Sequence, residues 1–113
     1  MDRKQLMSNS QNIDVLNNFV NKLKRSYKPE LIILFGSVAR GDFSLDSDID
    51  LLIVKNTRKR PLWRRVDVRK ILSTEIPVDI IVYTPHEFKM LKESGSVFLK
   101  QILEEGKIIY EKK

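Results

Sequence analysis

Two aspartates at alternate positions, Asp48 and Asp50, open an unbroken apolar run, Leu51-Leu52-Ile53-Val54. Such a run reads as a buried strand. Aspartate is depleted in strands, so a pair at the mouth of one breaks a local rule, and breaches of that kind tend to mark functional positions. Side chains alternate across a strand, so Asp48 and Asp50 share one face and Ile49 takes the other. The two carboxylates then lie about 7 Å apart, and at an effective dielectric of about 20 they repel by roughly 2 kcal/mol. That pair needs a cation.

A second apolar stretch, Glu30 to Phe35, delivers Gly36-Ser37, and Val38 to Gly41 reads as a brief helical turn. A Gly-Ser turn leaving a strand offers backbone N–H groups to phosphate, while aspartate oxygens suit a hard divalent metal. A third carboxylate, Asp79, stands within Pro77-Val78-Asp79-Ile80-Ile81-Val82-Tyr83. If that run pairs beside the first, Asp79 completes a three-carboxylate cluster able to bind two magnesium ions. Together these are the parts needed to hold a nucleoside triphosphate and its metal. Arg40, just past the turn, could reach a phosphate oxygen, and an ion pair with Asp42 or Asp46 is its rival role.

Gly36-Ser37, ten intervening residues, Asp48-Ile49-Asp50 and the later Asp79 resemble the motif of the DNA polymerase beta nucleotidyltransferase superfamily. Within it, the short chain and the segment Gly36 to Leu52 are most similar to the minimal nucleotidyltransferases (MNT), often the antitoxin half of HEPN/MNT toxin–antitoxin pairs. The resemblance covers roughly Leu31 to Tyr83. It implies an α/β fold, a small mixed sheet flanked by helices packed mainly on one side. By the same likeness, Gly36 and Ser37 contact the triphosphate, and Asp48 and Asp50 bind both metals. Asp79 holds the catalytic metal and helps deprotonate the incoming hydroxyl. ATP as substrate, two Mg2+ ions as cofactor and a HEPN-type protein as acceptor of AMP are the further implications. Transfer to a small molecule or an RNA end is one alternative, and a non-catalytic nucleotide-binding module that neutralises its partner by contact is another. The presence of all three carboxylates favours catalysis.

The chain of 113 residues fits a single domain, 1–113, with the first nine residues expected to be flexible and Lys112-Lys113 disordered. No apolar stretch approaches the roughly 20 residues of a membrane span, and the start lacks the apolar core of a signal peptide, so a cytoplasmic location is expected. The chain has no cysteine, which excludes disulfides and thiolate metal sites, and His86 alone makes no zinc site. Net charge is +6, with part of the excess in Lys55-Asn56-Thr57-Arg58-Lys59-Arg60 and at Arg64, Arg65, Arg69 and Lys70. Nucleic acid is a possible partner but not the favoured one, because no aromatic interleaves the basic loop and Trp63 suits a helix core face. Self-association is left open.

Periodicity supplies the remaining elements. Ile13, Leu16, Phe19, Val20 and Leu23 give a helix over Ser10 to Tyr27, stopped by Pro29. Pro61 to Ser73 is a second helix carrying Leu62, Trp63, Val66 and Leu72 inward, and Pro77 to Tyr83 is a strand. Thr84-Pro85-His86-Glu87 has the form of a capping box opening a helix to about Glu93, which gives His86 a place at the helix start. Ser96 caps a last helix ended by Gly106, and Lys107 to Tyr110 adds a strand.

Overall fold

The computed structural model describes residues 9–41 and 48–113. Along the chain run α1 (Asn9–Ser26), β1 (Leu31–Phe35), α2 (Gly36–Ala39), β2 (Ile49–Val54), α3 (Pro61–Leu72), β3 (Val78–Tyr83), α4 (Pro85–Glu93), α5 (Val97–Glu105) and β4 (Lys107–Glu111). Residues 1–8 of the expected flexible start lie outside the described residues, whereas Asn9 already belongs to α1. At the other end Lys112 is tied down, its N–H donating to the Glu30 carbonyl at 2.9 Å.

The four strands order as β3-β2-β1-β4. β1 pairs antiparallel with both β2 and β4, while β2 and β3 are parallel and joined by the α3 crossover that a parallel pair requires. This is the mixed sheet expected from the sequence. Leu51 to Val54 of β2 are buried on both sides, which explains their unbroken apolar run.

Helices cover both faces of the sheet, not mainly one. Ile32, Leu34, Leu51, Ile53, Ile80 and Val82 pack with Phe19 and Leu23 of α1 and Val68 and Leu72 of α3. The opposite face carries Ile33, Leu52 and Val54 under Leu99 and Ile102 of α5, with Phe88 and Leu91 of α4 packed alongside. The reason lies in the strands themselves, which are apolar at both parities and expel water only if both faces are covered.

One apolar face follows expectation and one does not. α1 buries Phe19 and Leu23 of its expected stripe, with Leu16 packed alongside and only Ile13, 53 % exposed, turned outward. In α3, Leu62 and Trp63 stand 54 % and 56 % exposed, while Arg64, at 6 %, leads the inward stripe continued by Val68 and Leu72. An arginine can occupy that position because every arm finds an acceptor. Its Nε donates to the Lys59 carbonyl at 2.7 Å, and Nη1 to the Val82 carbonyl at 3.1 Å and to Glu87 Oε1 at 2.7 Å. Arg64 thus reaches round the β3 edge and ties α3 on one face to α4 on the other.

The helix ends follow the local rules. Thr84 accepts from the Glu87 N–H at 3.1 Å while Glu87 Oε1 accepts from the Thr84 N–H at 2.8 Å, closing the capping box. Ser96 caps α5 through the Leu99 N–H. Gly106 follows α5 because a Cβ there would stand 2.5 Å from the Ile102 carbonyl oxygen and 2.8 Å from the Ile33 side chain.

Candidate active site

The site is built at the end of β1 and the beginnings of β2 and β3. Register sets Phe35 opposite Asp50 and Asp50 opposite Asp79, so the two aspartates are cross-strand neighbours on one face. That face is the one shared with α4 and α5, since Ile49 and Leu51 on either side of Asp50 belong to the other core. Asp48 lies one residue ahead of β2 and is solvent-exposed.

β1 delivers Gly36 directly over Asp50. Gly36 has φ +75, a conformation that side-chain-bearing residues rarely adopt, and a Cβ there would overlap the Asp50 carboxylate, with Cγ only 2.9 Å away. Glycine is therefore demanded twice, by the turn and by the close approach. The four-residue α2 follows at once, its N-cap Phe35 having no side chain to satisfy the first backbone N–H groups. Val38 and Ala39 are buried, which anchors the turn to the core.

The electrostatics of the aspartates follow from this crowding. Asp50 is pushed up to about 6, first by burial, then by the charge and hydrogen bond of Asp79 and the charge of Asp48, with Arg40 acting in the opposite sense. Asp50 and Asp79 thus stand side by side, and Asp48 acts on Asp50 through its field. Among the described residues no three carboxylates or histidines are gathered closely enough to form a ligand set unaided. The expected three-carboxylate cluster is therefore a tight pair with a third member nearby, because the ladder fixes Asp50 and Asp79 but not Asp48. Hard oxygen donors under mutual repulsion match a divalent cation such as magnesium, so the donor set fits that metal.

Arg40 follows α2 and reaches toward α5. Its Nη1 lies 3.4 Å from Glu105 Oε2, both side chains being largely exposed. Asp42, Asp46 and Ser47 lie outside the described residues. Arg40 and Glu105 border a cleft of about 180 Å³ together with Phe35, Gly36, Phe98 and Gln101. Phe98 meets Phe35 edge to face, with ring centroids 6.4 Å apart. No sequence motif marks these α5 residues. Their one signal was a phenylalanine just off the Leu99–Ile102 core stripe.

A larger hollow of about 500 Å³ lies at the other end of β3, lined by Pro61, Arg64, Tyr83, Glu87, Met90 and Leu91. Of its polar groups, Arg64 and Glu87 are engaged with each other, and Arg65 also lines it. The carboxyl pushed up to about 6, that of Asp50, is at the Gly36 end, which makes that end the candidate site.

A parallel β2–β3 pair with an acidic cross-strand couple, faced by a glycine turn, defines a nucleotidyltransferase domain. The chain belongs to the polymerase beta nucleotidyltransferase family, whose sequence profile matches residues 17–113. It is 35 % identical over 99 residues to a Methanocaldococcus jannaschii protein named as a protein adenylyltransferase, covering 84 % of this chain and 94 % of that one. A Sulfolobus solfataricus protein named as a nucleotidyltransferase shares the fold with a TM-score of 0.64 at 21 % identity, over 99 % of this chain and 91 % of that one. A chain from a mutant MntA–HpeT toxin–antitoxin structure does so with a TM-score of 0.59 at 23 % identity, over 87 % and 73 %.

Proposed function

We propose that this protein transfers AMP from ATP to a hydroxyl on a protein partner, and that the partner is a HEPN-type toxin it neutralises. The observation that carries the transfer is Gly36 held over Asp50 with Asp79 alongside. The protein acceptor is supported by the adenylyltransferase name of the M. jannaschii relative, and the toxin partner by the fold shared with the MntA–HpeT chain.

In this reading the acceptor oxygen attacks the α-phosphorus of ATP, the bond to the leaving pyrophosphate breaks, and the hydroxyl proton passes to an Asp79 oxygen. The backbone at Gly36 and Ser37 lies against the triphosphate, and Arg40 neutralises part of its charge. Asp48, Asp50 and Asp79 would hold magnesium, which screens the phosphates and stabilises the entering and leaving oxygens. The chain's own contribution is position and charge.

Intact-mass analysis of a mixture with a candidate HEPN partner, ATP and magnesium tests the reading. One or more AMP additions on the partner are expected, and none with Asp79→Asn. Labelling of a small molecule or an RNA end with an unmodified partner would replace the protein acceptor. Equal neutralisation by Asp48→Asn/Asp50→Asn without mass change would make the protein a binding module.

A further inference from the structure

The outer side of α3 carries groups that nucleotidyl transfer does not use. Trp63, the chain's only tryptophan, stands 56 % exposed in the first turn of that helix. An indole so placed forgoes burial that a core position would give it, and stands free to stack. Arg58 and Arg60 lead into the helix beside it, Arg65, Arg69 and Lys70 follow along it, and all five are exposed.

The charge is concentrated and, among the described residues, mostly without a carboxylate partner. Residues 55–70 hold eight Lys and Arg against one Asp, a surplus of seven that exceeds the +6 of the whole chain. Lys59 is engaged by Asp67 and Arg64 by Glu87, each at 2.7 Å. Among the described residues, Arg58, Arg60, Arg65, Arg69 and Lys70 have no carboxylate partner. With Trp63 on the surface, the basic segment does have the aromatic that a stacking platform requires.

We infer that this face binds single-stranded RNA, Trp63 stacking on an unpaired base while Arg58, Arg60 and Arg65 take flanking phosphates. A protein occupant would have to desolvate five unpaired cations, and interface cores are depleted in charge, whereas a phosphate backbone neutralises them and releases counterions. Stacking needs an unpaired base, which RNA loops and ends display. α3 packs through Val68 and Leu72 on the sheet face opposite Asp50, so this surface is separate from the acidic pair.

The single tryptophan makes the test direct. Titration of the full chain with an oligouridine of about 16 nucleotides, in about 150 mM salt, should quench Trp63 emission saturably. Trp63→Phe should keep most of the affinity and Trp63→Ala should lose on the order of tenfold, with ATP binding intact in both. Replacing Arg58, Arg60 and Arg65 with Ser should lower the slope of log affinity against log salt by about 2. Absence of quenching, unchanged affinity in Trp63→Ala, or tighter binding of duplex or of oligothymidine would overturn the inference. Equal binding of a polyglutamate peptide would assign the face to an acidic protein instead.

Discussion

At the scale of single residues, the site turns on one contact, Gly36 against Asp50. Gly36→Val would drive its side chain into the Asp50 carboxylate and strain a backbone at φ +75. We expect a stability loss of about 1–3 kcal/mol and abolished ATP binding by calorimetry, in a domain that still folds. Asp50 gives the opposite result. Its folded carboxyl titrates near 6, against 3.8 ordinarily, so the folded form binds protons better. Stability owed to protonated Asp50 is therefore fully present below about 3.8 and lost as pH rises through about 6. Asp50→Asn should flatten that fall and leave the melting temperature equal or higher in metal-free buffer, while ending metal-dependent ATP binding. A large drop in melting temperature would mean that the residue is structural. In the wild type, ATP–magnesium affinity should weaken as pH falls below about 6, because the ligand is the ionised form. Much of this was legible in the sequence, since a Gly-Ser turn and an alternate Asp pair are set by backbone rules that survive any packing. The α5 side of the cleft was not, because nothing in Phe98, Gln101 or Glu105 says which turn of another element they will face.

At the scale of elements, the α3 stripe shows where periodicity falls short. Leu62 and Trp63 are the strongest apolar signals in that helix, yet its phase is set by Val68 and Leu72 against the sheet, which brings Arg64 inward. Hydrophobic pattern cannot anticipate an arginine whose arms are met by the Lys59 and Val82 carbonyls and by Glu87 on another helix. Arg64→Met should keep the apolar stem but free these acceptors, costing about 2 kcal/mol in chemical denaturation, since the half-buried Glu87 can still reach water. Glu87 is held below its ordinary value, chiefly by the Arg64 hydrogen bond. The stability it lends is present above about 4.5 and lost as pH falls below that, and Arg64→Met should remove this acid-side dependence. An unchanged acid limb would show that the tie contributes nothing.

At the scale of the whole molecule, the sheet is a device for delivering three strand ends to one place. β1 must run antiparallel to β2 to bring Gly36 over Asp50, and β3 parallel to β2 to bring Asp79 beside it, so the mixed order β3-β2-β1-β4 is the site's requirement as much as the core's. Strand pairing of Asp50 with Asp79 was expected from the sequence on the condition that the runs lie side by side. Coverage of both faces was not, because nothing in α4 or α5 says which face of the sheet each will close, and only the assembled sheet shows it. Among the described residues no helix is long and apolar enough to cross a membrane. The central claim is that nucleotide and metal meet at the Gly36 end of the sheet and not in the larger hollow beyond β3. Amide NMR with Mn2+–ATP measures this directly, since the paramagnetic ion broadens only nearby signals. The Gly36, Ser37, Asp50 and Asp79 signals are expected to vanish while those of Tyr83, Glu87 and Met90 stay sharp, and the reverse pattern would put nucleotide and metal in the larger hollow instead.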